Sequence, residues 1–330
     1  MEIILWSLLS GTLTAVLSGI YLKMARHYDL VDQPNERSSH TIATPRGGGV
    51  AIALAIGCGY GIFGFGVGLF EPELLWLILC AAMAGATGLL DDIFDLAVFV
   101  RLSAYLFASV LLLLLISPIP AGDMFPEWLA ILISCLGLIW LLNLYNFMDG
   151  IDGIAAAEAS TVCLSISMLL HINSAEPEFV VFAALIGGST LGFLVWNWAP
   201  AKLFMGDVGS VFLGFIMGGF ALLTIKFGAI SLSVWLILLA LFVSDASYTL
   251  IWRLSKRQNV FNAHRYHTYQ RLARYWKSHA KPVKLYTAIN LIWLLPLAYT
   301  ANTYPPWSPV IVLLAYMPLL LMMAKLSDLA

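Results

Sequence analysis

A chain of 330 residues that is 61% hydrophobic and only 11% charged falls outside the range of water-soluble globules, which run at about half apolar and a quarter charged. Its formal net charge of −2 excludes a nucleic-acid binder held by bulk positive charge, because phosphate contacts draw on a surplus of Lys and Arg. The main solvent of this chain has to be lipid.

In chain order, near-continuous apolar runs predict spans at 3–22, 47–70, 74–90, 98–117, 128–147, 154–170, 179–196, 208–225, 229–252, 285–300 and 307–324. Each is close to the roughly 20 residues a helix needs to cross the hydrocarbon layer, so about eleven transmembrane helices are expected. A closed barrel is the other way to satisfy backbone polar groups in lipid, but it needs alternating strands, and the run of leucines at 111–115 does not alternate. The first run has no basic leader before it and is expected to stay as an anchor. Cys58, Cys80, Cys135 and Cys163 lie inside apolar runs, with no spacing that suits a metal or a disulfide framework.

Cations collect in the odd-numbered connections: Lys23, Arg26, Arg37 and Arg46, then Arg101, then Lys202, then a cluster running from Arg253 to Lys281. The even-numbered ones hold Lys226 and the acids Glu71, Glu73, Asp123, Glu127, Glu176 and Glu178. Because positive loops stay in the cytoplasm, the amino terminus is expected outside and the carboxyl terminus inside. The expected fold is all-α: a polytopic integral membrane helical bundle, one domain over 1–330, with long cytoplasmic loops at 23–46 and 253–284. Loops of that length in a compact bundle usually carry function.

The polar residues that are hardest to explain as solvated surface fall on that same face. Asp91-Asp92 closes the third span; adjacent carboxylates repel unless a cation such as Mg²⁺ neutralises them, or unless they form a solvated acidic helix end. Asn143, Asn146 and Asp149 recur every three residues at the end of the fifth span, followed by Gly150, Asp152 and Gly153. That spacing puts the first three on one side of a helix, facing either a wet cleft or a packing partner. Asn197, Lys202, Phe204 and Asp207 follow the seventh span. Asp207 falls in the first turn of the eighth, where metal binding and simple helix capping are both open. Lys202 and Phe204 either hold a phosphate and stack on a base or sit at the lipid interface. The ninth connection carries Asn262, His264, Arg265, His267, Tyr269, Arg271 and Arg274, groups suited to a phosphate-bearing ligand or to anionic lipid. Asp245, inside the ninth span, either reaches the cleft or pairs with a buried Asn or Arg.

Acids to hold Mg²⁺ and cations to hold phosphate, converging on one membrane face, describe phosphoryl transfer. In order and type these residues resemble the polyprenyl-phosphate N-acetylhexosamine-1-phosphate transferase family. The resemblance runs from Arg37-Ser38-Ser39-His40 and Thr44-Pro45-Arg46-Gly47-Gly48-Gly49 through Asp91-Asp92, Asn143 to Gly153 and Phe204-Met205-Gly206-Asp207-Val208-Gly209-Ser210 to the basic loop. It implies an enzyme that uses Mg²⁺, with Mn²⁺ as a substitute. The enzyme would move a sugar 1-phosphate from a UDP-N-acetyl amino sugar onto undecaprenyl or another polyprenyl phosphate and release UMP. Its place would be the inner membrane, with the site on the cytoplasmic face and room for oligomerisation. The resemblance makes Asp207 the principal metal ligand with Asp149 beside it, and has Asp91 and Asp92 assist the metal or deprotonate the lipid phosphate. Arg46, Asn143, Asn146, Asp152, Asn197, Lys202 and Phe204 would surround the substrates, with His264, Arg265 and His267 on phosphates.

The peptidoglycan-initiating branch has three consecutive histidines in the basic loop and a Lys after its paired aspartates. Here the loop reads His264-Arg265-Tyr266-His267, Asp95 takes the place of the Lys, and Arg101 is the next cation. That form looks like the branch that starts O-antigen, capsule or related surface polysaccharides. Asp91-Asp92-Ile93-Phe94-Asp95 also spells the DDxxD of membrane prenyltransferases, but no second acid-rich helix accompanies it. A transporter would place its acids at mid-membrane, where only Asp245 lies well inside a span.

Overall fold

The structure, a computed structural model, describes residues 2–28, 31–32, 43–119, 126–259 and 264–327. Arg37 to His40, Asp123 and Asn262, singled out above, lie outside the described residues. Its helices are α1 (Glu2–His27), α2 (Gly49–Val67), α3 (Pro72–Phe94), α4 (Val98–Leu115), α5 (Glu127–Met148), α6 (Ile154–Ile172) and α7 (Pro177–Asn197). They continue with α8 (Gly206–Lys226), α9 (Leu232–Leu238), α10 (Ala240–Ser255), α11 (Thr268–Tyr275), α12 (Ala280–Ile289), α13 (Leu295–Thr303) and α14 (Ser308–Leu326). The described strand structure is one antiparallel pair, β1 (Val31–Asp32) and β2 (Thr44–Pro45), in which Val31 faces Pro45.

Ten helical stretches are long and apolar enough to cross a membrane, and α9 with α10 forms an eleventh that bends by 71°. The expected span count therefore holds, and the differences are local. The ninth span, expected to be continuous, breaks at Leu239, which closes α9 and opens α10. The tenth begins at Ala280 rather than 285, so α11 and the start of α12 occupy much of the loop expected at 253–284. Within it, Asn290–Leu294 winds as a π-helix just before Pro296. A proline offers no amide to the preceding turn and its ring crowds the carbonyl there, which a widened turn relieves.

Helices α6, α7 and α8 are mostly buried and form the centre, whereas α1 and α14 expose most of their surface. Ser7, Gly11 and Ala15 set α1 against α7, where Trp196 Nε1 donates to the Ala15 carbonyl at 2.8 Å and Ser7 Oγ to that of Ala184 at 3.3 Å. Such small-residue and polar contacts replace the hydrophobic drive that lipid removes between helices.

The odd-numbered connections meet at one end of this bundle. The Phe204 amide donates to the Pro45 carbonyl at 2.8 Å and Gly48 to Phe204 at 2.9 Å, joining the first connection to the seventh. Asn197 Oδ1 accepts from the Gly153 amide at 3.0 Å and Asp152 Oδ2 from that of Ala201 at 3.1 Å, joining the fifth to the seventh. Even-numbered connections meet at the other end, where Lys226 Nζ reaches Glu73 at 2.8 Å and the Ile116 carbonyl at 2.7 Å.

From the cation bias the first of these ends is expected to be cytoplasmic. In a background lacking the four native cysteines, Ser278→Cys is expected to react with an impermeant thiol reagent only after cells are opened. Ser231→Cys, at the opposite end, should react in intact cells. The reverse pattern would invert the topology.

Candidate active site

At the end where the odd connections converge, α3 and α8 lie against each other so closely that a side chain at Gly88 would sit 2.5 Å from the Asp207 carbonyl. Gly206, just before Asp207, has φ +74, and a Cβ there would meet Asp92 Oδ2 at 2.6 Å. Only glycine takes that backbone conformation and leaves that space, so the Gly206-Asp207 pair brings Asp207 and Asp92 face to face.

Asp207 is the second residue of α8, whose cap residue Met205 makes no side-chain cap hydrogen bond, while the Asp92 carboxyl lies within reach of the Asp207 and Val208 amides. Asp207 is therefore not spent as a cap, although the amides of the first turn still favour negative charge there. Asn146, one turn from the end of α5, reaches Asp207 and donates to Ser210 Oγ at 3.2 Å. Asp149 follows the end of α5. Burial, and then the Asp207, Asp92 and Asp152 carboxylates, push its pKa well above the ordinary carboxylate range, because desolvated surroundings and like charges both disfavour the ionised form.

The two carboxylates of the Asp91-Asp92 pair part company. Adjacent residues on a helix point about 100° apart. Asp92 turns towards α8; its Oδ1 lies 3.6 Å from Arg46 Nη1, and Arg46 also donates to the Asp92 carbonyl. Its Oδ2 is buried with no hydrogen-bond partner among the described residues. Asp91 turns towards α4, accepting from the Leu96 amide at 2.8 Å through Oδ1 and from Arg101 through Oδ2.

Other sequence-predicted residues hold this framework together. Asn197 is buried, bridging Gly153 and the Leu203 carbonyl, the latter at 3.0 Å. Asn143 donates to the Ile139 carbonyl of its own helix at 2.7 Å. Lys202 is exposed, its ammonium 6.0 Å from the centre of the Trp196 ring. Asp152 pairs with His279 Nδ1 at 3.2 Å, a partner that no spacing in the sequence announces, because it lies at the far end of the basic loop.

The basic loop divides into anchors and cavity walls. Asp245 is fully buried and accepts from the amides of Thr268 and Tyr269 at 2.8 and 3.1 Å and from the Tyr286 hydroxyl at 2.7 Å. It supplies the orphan donors of the first turn of α11 with an acceptor from another helix, and its partners are neither the cleft nor the Asn or Arg expected. His267 is buried 3.6 Å from Asp245, on the anchoring side. Arg271 also faces inward, donating to the Tyr266 and Ser327 carbonyls and stacking 5.2 Å from Trp252. Tyr269 bonds the Phe147 carbonyl at 2.9 Å and so pins α11 beside Asp149. Arg265, Arg274, Lys277 and His279 line a cavity of about 640 Å³ with Asp152 and Pro200.

His264 stacks on Tyr266 at 5.7 Å, and its Nδ1 accepts from the Tyr266 amide at 3.3 Å. Burial first, then the neighbouring His267 and Arg253, lower its pKa from 6.5 to about 3. The ring is thus neutral, with Nε2 left as the proton-bearing donor, rather than the charged imidazolium a phosphate-binding histidine would bring. Folding favours the neutral form, so this contribution is complete above pH 6.5 and fades as the pH falls towards 3. His264→Ala is expected to lower turnover roughly a hundredfold, as lost donors do. The ratio of wild-type to variant rates should stay constant as the pH rises from about 6.5 to 8; a ratio shrinking over that range would mean that the charged ring does the work.

Among the described residues no three His, Cys, Asp or Glu side chains gather closely enough to enclose a metal ion. Mg²⁺ rarely uses such cages; it takes one or two carboxylates and completes its shell with water and substrate phosphate. The buried Asp92 Oδ2, without a hydrogen-bond partner among the described residues, and the Asp149 carboxyl within electrostatic reach of the Asp207, Asp92 and Asp152 carboxylates fit that mode of binding.

The glycosyl transferase family 4 model matches residues 74–225, the stretch that holds every carboxylate of this cluster. A probable undecaprenyl-phosphate N-acetylglucosaminyl 1-phosphate transferase of Bacillus subtilis is 27% identical over 290 residues, covering 84% of this chain and 79% of its own. The decaprenyl-phosphate N-acetylglucosaminephosphotransferase of Mycobacterium leprae is 27% identical over 86% of this chain and 80% of its own. A phospho-N-acetylmuramoyl-pentapeptide-transferase of Moorella thermoacetica is 40% identical, but over 97 residues, 29% of this chain and 30% of its own. With its membrane spans and the order of its motifs, this chain is similar to the polyprenyl-phosphate N-acetylhexosamine-1-phosphate transferases, and its central part matches glycosyl transferase family 4.

Proposed function

We propose that this enzyme takes a UDP-linked N-acetyl amino sugar and undecaprenyl phosphate, at the cytoplasmic face of the inner membrane, and makes the first lipid-linked sugar of an O-antigen or related surface polysaccharide. A phosphate oxygen of the lipid ends up bonded to the β-phosphorus of the donor, the bridge between the α- and β-phosphates breaks, and UMP leaves. One observation carries this reading: Asp92, Asp149 and Asp207, from three different helix ends, share one electrostatic neighbourhood with Arg46 and Arg101 at its margin. Acids flanked by arginines suit a reaction whose catalysis is mostly positioning and charge neutralisation.

Asp207 and Asp149 would hold Mg²⁺, with Asp92 beside them; when bound, the ion neutralises charge on the diphosphate and on the departing UMP. Asn146 orients Asp207, and the glycine turn at Gly206 keeps the carboxylates together. The cavity beside Asp152, with its arginines and Lys277, has the charge to receive a nucleotide diphosphate. The N-acetylglucosamine named for the relatives with long matches favours that amino sugar, and the His264-Arg265-Tyr266-His267 loop favours surface polysaccharide over peptidoglycan.

The test is purified protein with undecaprenyl phosphate, Mg²⁺ and a panel of UDP-amino sugars, scored for UMP. Release is expected with one or a few donors, falling to background in excess chelator and recovering with Mg²⁺ or Mn²⁺. Undiminished release in chelator would sink the metal assignment, and no release with any donor would sink the reading itself.

A further inference from the structure

The parting of Asp91 from Asp92 leaves a carboxylate that the proposed chemistry does not use. Both oxygens of Asp91 are occupied, one by the Leu96 amide that follows α3 and one by Arg101 in the first turn of α4. These two bonds leave lone pairs on both oxygens, but they fix the carboxylate's direction towards α4 and away from Asp207 and Asp149. What it does hold in place is a guanidinium. The Arg101 side chain remains 30% exposed and lies within electrostatic reach of Asp207. Its neighbours on α4, Val98 at 43%, Phe99 at 79%, Leu102 at 38% and Leu106 at 48% exposure, face lipid. Arg101 thus stands where the acidic cluster meets the hydrocarbon, and it is not among the residues that line the cavity next to Asp152.

We propose that Arg101 binds the phosphate of the polyprenyl acceptor and that Asp91 is a positioning residue that holds the guanidinium for it. This rests on the reading of the chain as a polyprenyl-phosphate transferase. The physical argument is one of access. An acceptor tethered to a long hydrocarbon chain arrives through the membrane flank, whereas a water-soluble donor enters from the aqueous side, where Arg265, Arg274 and Lys277 line a cavity. A guanidinium offers several donors in a planar fork, so one edge can stay on Asp91 while another meets phosphate. Pinning by Asp91 removes the rotamer freedom that an arginine would otherwise lose on binding.

The experiment measures binding of undecaprenyl phosphate to the detergent-solubilised full chain without donor, with undecaprenol as the uncharged control, alongside KM for both substrates. Arg101→Ala is expected to weaken undecaprenyl phosphate binding about tenfold or more, the size of a lost charge-assisted hydrogen bond. Undecaprenol binding and the donor KM should stay unchanged. Arg101→Lys should recover part of the loss. Asp91→Asn should also raise the acceptor KM with kcat largely kept, and adding it to Arg101→Ala should bring little further loss, since the pair acts as a unit. Loss of kcat in Asp91→Asn with an unchanged acceptor KM would overturn the proposal in favour of a direct chemical role for Asp91. So would equal weakening of phosphate and alcohol by Arg101→Ala, or an effect on the donor alone. If wild-type protein binds undecaprenyl phosphate in the Arg101-dependent way yet releases UMP from no donor, the donor assignment fails while this one stands.

Discussion

Asp207→Asn is expected to reduce UMP release roughly a thousandfold, to the limit of most assays, while leaving thermal unfolding in detergent almost unchanged. The size follows from what the residue faces. Asp207 shares its space with Asp92 and Asp149, so its charge is a cost to the fold that Asn146 and Arg101 offset in part and a bound cation would offset further, and removing that charge relieves repulsion in the free protein. The amide is nearly isosteric and can still accept from Asn146. Transition-state stabilisation, in contrast, loses a charged group at the reacting diphosphate, where single donors alone are worth about 10²–10³ in rate. The check is UMP release and unfolding midpoint measured on the same preparations. Activity retained within a few fold would mean that Asp207 merely complements the amides at the start of α8.

The second large effect is on the fold rather than the chemistry. Asp245→Ala should lower the unfolding midpoint by an amount on the order of 5–10 °C, because Thr268 and Tyr269 amides and the Tyr286 hydroxyl would be left buried without an acceptor. Each such orphan costs about 1–3 kcal/mol. Turnover should fall with it, since Tyr269 holds α11 against the Phe147 carbonyl next to Asp149. Asp245→Asn is expected to lie between the two, its oxygen serving some donors while its own NH₂ faces others. Lys277→Ala, at an exposed position, should leave stability unchanged. If Asp245→Ala lost activity with an unaltered midpoint, the residue would be a cleft carboxylate after all.

Residue order alone carried the span number and the face on which the motifs meet, for a local reason. Lipid leaves the backbone only the helix, so the length and apolar character of each run decide a span without reference to its neighbours. The alternation of cations between connections is local in the same way, and it brought Arg46, Asp92, Asp149, Asp152, Asn197 and Asp207 to one end before any contact was known. What a polar side chain does there is not local. Asp91 and Asp92 are chemically identical neighbours; the packing of α4 on one side and α8 on the other gives the first an arginine and leaves an oxygen of the second bare. His264 and His267 read alike as phosphate ligands, yet burial against Tyr266 keeps one uncharged and Asp245 takes the other into the protein. The break of the ninth span at Leu239 had no glycine or proline to announce it. These outcomes depend on which groups three-dimensional packing sets within a few ångströms and on the desolvation that follows, and both are properties of the assembled bundle.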